Sequence, residues 1–596
     1  MFARISLLAL ALAAFSVLSA CCWKCAFNEH NFSDKDPIIP GELSAHATIH
    51  NIGIQWLVKG NDNVNATLEY REAGWRAKDW QPAFPLHRAP ARPNQPVKFL
   101  GGLDNWVPAF AAYGREHLNK NYFAGSIFNL KPNTKYEIRV TLHGVAGKWQ
   151  GRDTKTLNVT TRRDPTGPAT QTFPAAVHVK GGGDALKIAL QQAKANQIFV
   201  VREGVYSGDI TVSASGTKEK PIIIAGYGNV LIDGGPITNN NDKTNGITIT
   251  GANVRISGLS FRNFHTCIKA EPTARNLVVE RCKLEHFYNG ITVDADDATI
   301  TDNILRYSYR TTDMSITGGQ RKSNHGIRAN TNTKGCVIAY NEISLVADAI
   351  HAIGRDTDVH NNDVIFGLDD AIELDFGGPN IRVYDNRFSY SGHNGISFQP
   401  YIGGPAYILR NCVFGPKDNA LKTRYDSDSV YFINNTFISR DSHGCDLPFG
   451  SFTRNNIFLV SPGKTRSARI DLAPTHMQPN MDHDLFGPIG PNGLTLAEFT
   501  QQTGMENNGI QATSNAQVLA NFPLFPPEYG SPQWVYPEAY LKATTRPHPD
   551  YSLAKDSPAI GTGIPIPNIT IRLDGKPIDL GALQHDQSPP HYGPRR

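Results

Sequence analysis

Five carboxylates fall in one short stretch of the chain: Asp348, then Asp369 and Asp370, then Glu373 and Asp375. The last four lie within seven residues, and crowded acids push one another's proton affinities apart. A protonated carboxyl beside an ionised one at neutral pH is what an inverting glycoside hydrolase needs. One group protonates the leaving oxygen while the other activates water. Asp370 is the expected general acid, with Asp348 and Asp369 holding the water. Arg328, Lys422 and Arg424 supply positive charge for an anionic sugar. His351, Glu373 and Gln399 are expected to face the same ligand, and Phe376, Tyr401 and Tyr425 are candidate stacking aromatics.

Two other chemistries fit the same residues. In a polysaccharide lyase or epimerase, Glu373 and Asp375 would hold calcium while Lys422 or Arg424 removes the uronate α-proton. His351 beside Glu373 also permits an acid–base scheme without calcium; the hydrolase reading needs no cofactor. A non-catalytic carbohydrate-binding surface is the remaining alternative.

These residues are useful only if distant segments are stacked, and an internal repeat supplies the stacking. A small residue followed by an aliphatic one recurs at Gly246-Ile247, Cys267-Ile268, Gly290-Ile291, Gly326-Ile327, Ala349-Ile350, Ala371-Ile372, Gly395-Ile396 and Ala420-Leu421, at steps of 21, 23, 36, 23, 22, 24 and 25 residues. Asn303, Asn341, Asn362, Asn386, Asn411, Asn435 and Asn456 repeat in a second register, each two residues before an apolar side chain. Repeats of this length with an asparagine column predict an all-β fold dominated by a right-handed parallel β-helix. With the aliphatic turned inward, the next residue points outward and reads Lys269, Thr292, Arg328, His351, Glu373, Ser397, Lys422 up the stack. The coil containing Tyr307–Asn324 carries extra residues that would wall a groove.

The run Asp348-Ala349-Ile350, Gly367-Leu368-Asp369-Asp370, Gly392-His393-Asn394-Gly395 and Leu421-Lys422 resembles, in order, the four site motifs of the polygalacturonase family, pectin hydrolases that are themselves β-helices. Those motifs read Asn-Thr-Asp-Gly, Gly-Asp-Asp, Gly-His-Gly and Arg-Ile-Lys. The resemblance implies that Asp348, Asp369 and Asp370 are catalytic, that His393 stands near the catalytic histidine, and that Lys422 holds a substrate carboxylate. This chain has Val346-Ala347 in place of Asn-Thr and Ala420 in place of the Arg, and Asn394 separates His393 from its glycine.

The remaining chain frames this unit. Residues 1–20 carry a positive charge and an apolar run too short to span a bilayer comfortably. The run ends in Leu18-Ser19-Ala20-Cys21, which resembles a lipoprotein lipobox, so Cys21 is the expected lipidation site. A lipid-anchored protein of the bacterial cell envelope (outer membrane or periplasm), or a secreted one, is expected. Residues 42–162 alternate as strands, and Leu130–Val140 resembles a fibronectin type III strand signature; a sandwich of that kind is expected, with an insertion around 84–125. Residues 163–175 read as a linker and 176–460 as the β-helix, entered through a short helix after Asp184. Residues 461–596 read as an irregular extension whose closing strands are 552–560 and 578–582. The formal net charge of +4 over 596 residues excludes a nucleic-acid partner on electrostatic grounds. The expected partner is an acidic polysaccharide. Five scattered cysteines, from Cys267 to Cys445, sit in apolar strands and are expected as buried thiols.

Overall fold

The computed structural model describes residues 38–60, 64–74, 79–89, 120–144, 151–165, 176–236, 244–308, 324–398, 401, 404–415, 419–423, 429–440, 444–447, 450–470, 479–523, 549–570, 572 and 574–595. The lipobox with Cys21, most of the 163–175 linker, the body of the 84–125 insertion and the extra coil residues 309–323 lie outside these, as do Gln399, Arg424 and Tyr425.

Eight strands form the N-terminal sandwich: β1 (Ile39–Ala47), β2 (Ile52–Lys59), β3 (Val64–Glu72), β4 (Gln81–Pro82), β5 (His87–Ala89), β6 (Tyr122–Ile127), β7 (Lys135–Gly144) and β8 (Arg152–Thr160). They pair antiparallel as β1-β2-β6-β5 and β4-β3-β7-β8. Alternating side chains of the two inner faces, among them Trp56, Leu68, Ile138 and Val140, fill the space between the sheets. The Tyr136 hydroxyl accepts the Lys131 N–H at 2.9 Å, the corner contact that fixes the Pro132 turn to strand β7.

Beyond Val177 the chain is a parallel β-helix, right-handed as parallel crossovers are. The helix α1 (Ala185–Gln191) closes its first end, and the Asp184 side chain makes no cap hydrogen bond. Each later coil contributes a strand to three sheets. The first sheet contains His325–Ala329, Asp348–Ala352, Ile372–Glu373, Asn394–Phe398, Asn419–Thr423 and Cys445–Leu447; the second contains Asp358–His360, Ile381–Tyr384 and Ala406–Leu409; the third contains Asp363–Ile365, Arg387–Ser389 and Cys412–Phe414. Ile327, Ile350, Ile372, Ile396 and Leu421 stack in register down the interior, all fully buried. The five cysteines of this region are buried free thiols.

The asparagine column forms a continuous hydrogen-bonded ladder at the turn between the second and third sheets. The Asn303 amide donates to the Asn341 oxygen at 3.0 Å, and the series runs through Asn362, Asn386, Asn411, Asn435 and Asn456 at 2.9–3.1 Å. Each oxygen also accepts the backbone N–H of the rung before it, and each amide donates to a carbonyl of the preceding coil. The residue before each ladder asparagine is left-handed, as at Asn361 (φ 53°) and Asp385 (φ 53°). Non-glycine residues are held there at some cost, because the turn is too sharp for any other backbone path.

The solenoid continues past residue 460. Ala468–Ile470, Asn480–Met481 and Leu485–Phe486 extend the sheets, and Asp484 takes the next ladder position, accepting from Asn456 at 2.9 Å. An aspartate in place of asparagine hides this coil from the repeat. The expected closing strands do not form; residues 549–582 contribute isolated bridges, and Leu519, Tyr551, Leu553, Ala559 and Leu580 pack on the third sheet.

The sandwich docks on the second sheet. Arg382, fully buried, bonds Asp358, the Ser126 hydroxyl (3.0 Å) and the Asp356 carbonyl (2.9 Å). Asp358 accepts from Thr48 (2.5 Å) and Asn51 (2.9 Å) of the sandwich. The approach is so close that a Cβ on Gly53 would meet the Asp356 carboxylate. Among the described residues, no hydrogen bond or ion pair joins the sandwich or residues 549–595 to the first sheet.

Asn386→Ala is expected to lower unfolding stability by about 3 kcal/mol, since it strips the acceptor from the Asn362 backbone and amide groups at about 1–3 kcal/mol per buried orphan. Denaturant titration checks this. Arg382→Met leaves Asp358 buried without its cation and is expected to cost about 3–5 kcal/mol, with the sandwich becoming susceptible to limited proteolysis before the solenoid does.

Candidate functional site

The predicted outward column is present on the first sheet. Thr292 pairs with Arg328, Arg328 with His351, His351 with Glu373, Glu373 with Ser397, and Ser397 with Lys422. Strand neighbours lie about 4.8 Å apart, so residues 130 positions apart in sequence form one strip. A second column sits at the corner leading into the sheet and reads Asn289, His325, Asp348, Asp370, Asn394, Asn419. There three side-chain oxygens reach the backbone of the next rung: Asn289 accepts the His325 N–H (3.3 Å), Asp348 the Asp370 N–H (3.4 Å) and Asp370 the Asn394 N–H (3.1 Å). The aspartates therefore help close the corner as well as offering a free oxygen.

The strip is recessed rather than set out in solvent. Asp348, His351, Asp370 and Lys422 are 7, 7, 4 and 5% exposed. Asp369 and His393 at the rim keep about a fifth of their side chains exposed, and Arg328, Glu373 and Asp375 are half-buried.

Recession makes the charges interact strongly. Burial pushes the Asp348 carboxyl well above the usual carboxylate range, and Asp369 and Asp370 push it further. Burial raises Asp370 too, but Lys422, His393 and Asn394 overcome it and hold this group at about 2. The Lys422 ammonium is 3.9 Å from one Asp370 oxygen, the His393 Nδ1 is 3.6 Å from the other, and the Asn394 amide donates to that oxygen at 2.6 Å. The two shifts run opposite to the expected assignment: of the pair, Asp348 holds its proton the more tightly and Asp370 the less. Glu373 is also raised well above its usual value, by burial and then by Asp375. His393 Nδ1 lies 3.0 Å from Asp369 Oδ1.

His325 and His351 are held neutral. Burial takes His325 down to about 3, helped by Arg328, and drives His351 well below the ordinary imidazole value.

The structure brings Asp348, Asp369, Asp370, His393 and Lys422 together, with Arg328, His351 and Glu373 on the same sheet. Tyr401 is removed from the list of platforms: it is fully buried, donates to the Gly378 carbonyl at 2.6 Å and packs on Phe398, because the chain turns inward there. Phe376 occupies a left-handed turn at φ 60°. Asn394, given no role from the sequence, donates to Asp370 and helps hold its proton affinity down. Asp446 was missed; it pairs with Arg469 at 2.7 Å and accepts from Asn419 at 3.2 Å. Gly444-Cys445 continues the small–apolar register and would have located it.

Glu373 adjoins both the Asp375 carboxyl and the His325 and His351 imidazoles.

No protein-family model and no curated protein matches the chain. Among solved structures it is similar to the pectate lyase Pel9A (14% identity, TM-score 0.42, covering 67% of this chain and 90% of that one). It is also similar to the PL6 family alginate lyase AlyGC (13%, 0.35, 57% and 53%) and to the family 28 exopolygalacturonase of Yersinia enterocolitica (12%, 0.26, 76% and 86%). At these identities the likeness is one of fold.

An imidazole held neutral by the fold takes up a proton on unfolding, so its stability contribution is present above the unfolded value of 6.5 and lost as pH falls towards the folded one. Urea midpoints measured from pH 7 down to pH 4 are expected to fall less steeply in His325→Gln than in the native chain. Parallel slopes would show that His325 titrates normally in the fold.

Proposed function

We propose that this chain is an extracytoplasmic glycoside hydrolase, of the inverting type, acting on a uronate-containing polysaccharide. The observation that carries the reading is the opposite shift in proton affinity of two carboxyls on successive rungs of the first sheet. Asp348 meets no close cation and keeps its proton; Asp370 meets Lys422, His393 and the Asn394 amide and loses it. Asp348 donates to the glycosidic oxygen. Asp370, whose affinity for protons is too low for an efficient base, stabilises the positive charge developing on the sugar. Asp369 orients His393 through Nδ1, leaving Nε2 to take a proton from water. Arg328 and Lys422 bind the uronate carboxylate, with His351, Glu373, Gln399 and Arg424 completing the subsite.

The signal-like residues 1–20 and Cys21 support a lipid-anchored location in the cell envelope. The sandwich is read as a fibronectin type III-like spacer, since its described residues dock on the second sheet.

Asp348→Asn and Asp370→Asn are each expected to lower kcat at least about 10²-fold on pectate or another oligouronate, with the fold intact by circular dichroism. Native turnover should be flat through neutral pH and fall on the alkaline side as Asp348 loses its proton. New reducing ends without ultraviolet-absorbing unsaturated ends are the expected products. Unsaturated ends would transfer the reading to a lyase, and full activity in Asp348→Asn would overturn the assigned acid.

A further inference from the structure

Next to the carboxyl pair, and unused by it, three metal-ligating side chains converge. His325 and His351 lie on adjacent rungs with their rings stacked at 4.9 Å and 19°. Glu373 follows on the next rung, its Oε2 3.9 Å from His351 Nε2. One ligand atom from each of the three lies within 4.8 Å of the other two. The second observation is independent of that convergence. Both histidines are more than nine-tenths buried, and Nδ1 of each has no hydrogen-bond partner. With no contact at Nδ1 to fix the tautomer, each ring can carry its proton there and present the Nε2 lone pair to an ion.

We propose that His325, His351 and Glu373 bind a divalent transition-metal ion of the zinc class. Two imidazoles and one carboxylate are a common three-ligand zinc set, with a fourth position left to water or to an oxygen of an anionic ligand. Bonds of about 2.0–2.2 Å place tetrahedral ligand atoms about 3.3–3.6 Å apart, so the 3.9 Å between His351 Nε2 and Glu373 Oε2 closes with a shift of a few tenths of an ångström. Nitrogen donors of this kind select zinc, copper or nickel over calcium and magnesium. The three side chains spring from paired strands, which fixes their backbones before any ion arrives. Around them, Arg328 is the strand partner of His351, Asp348 lies 3.8 Å from His325 Nε2 and Asp375 adjoins Glu373. The site goes beyond the hydrolase reading, because it uses groups to which that reading gives no proton-transfer step.

The test is metal binding to the full chain without an affinity tag, stripped with chelator and dialysed against zinc, with elemental analysis as the readout. Cobalt(II) serves as a visible-absorbing probe of the same site. About one zinc per chain is expected, with a cobalt spectrum that zinc abolishes and excess calcium leaves unchanged. Glu373→Gln, which preserves shape, and His351→Ala should each weaken binding more than about 100-fold, with circular dichroism confirming the fold. Absence of binding at micromolar zinc, or stoichiometric binding that survives both variants, would overturn the proposal. Because no substrate is present, the metal site and the hydrolase reading fail separately.

Discussion

The register of one coil on the next is the constraint on which everything else rests, and buried amides hold it. Along the ladder from Asn303 to Asn456 each oxygen takes two hydrogens from the rung before it, and each amide reaches both neighbours. Interior aliphatic stacks alone would tolerate slippage, because dispersion is indifferent to whether Ile350 faces Ile372 or its neighbour. An amide column is not indifferent, since a slipped coil leaves several buried polar groups orphaned at once. Apolar stacking thus provides the drive for coil on coil, and the ladder provides its alignment. The site sheet inherits that alignment directly: Asp348, Asp370 and Asn394 meet because their coils are held in step on the opposite side of the solenoid.

Once the rungs are fixed, charge placement follows from which donors each carboxylate can reach. Asp348 and Asp370 occupy equivalent corner positions and perform the same backbone contact on the next rung. Their proton affinities nevertheless diverge, because the rung after Asp370 supplies Asn394 and His393, and the outward column supplies Lys422 one coil further. The corresponding neighbours of Asp348 are other acids. Equivalent positions in a repeat therefore acquire different chemistry from their immediate successors alone.

This explains how much was legible in the sequence. Period and side-chain alternation gave away the solenoid, the ladder and the outward column from Lys269 to Lys422, because these are properties of spacing. The order of proton affinities was not legible, since it depends on Lys422, His393 and the Asn394 amide reaching Asp370 rather than Asp348. The extent of the solenoid was misjudged for a related reason: Asp484 does the work of an asparagine, accepting the Asn456 N–H while Glu506 accepts the Asp484 backbone N–H. Tyr401 read as a surface aromatic because sequence does not show which way a loop turns. The docking of the sandwich was equally hidden, as Asp358 and Arg382 sit in strands whose other residues look like ordinary core.

The docking has a consequence for where chemistry can occur. A three-sheeted solenoid offers three faces, and two are consumed. The second is sealed by the sandwich through the Arg382–Asp358 network. The third is sealed by the C-terminal region, whose last residues are tied down by Arg595 on Asp302 at 2.8 Å and stacked over Tyr340. The second-sheet seal is built on a buried charge pair whose loss is costly, and the third-sheet seal on apolar packing of Leu519, Tyr551, Leu553 and Leu580. On the first sheet the polar residues are different in kind: acids with shifted proton affinities, imidazoles without partners, and a lysine held 3.9 Å from a carboxylate. Among the described residues, it is on the first sheet that acids of opposite shift and a cation stand on neighbouring rungs.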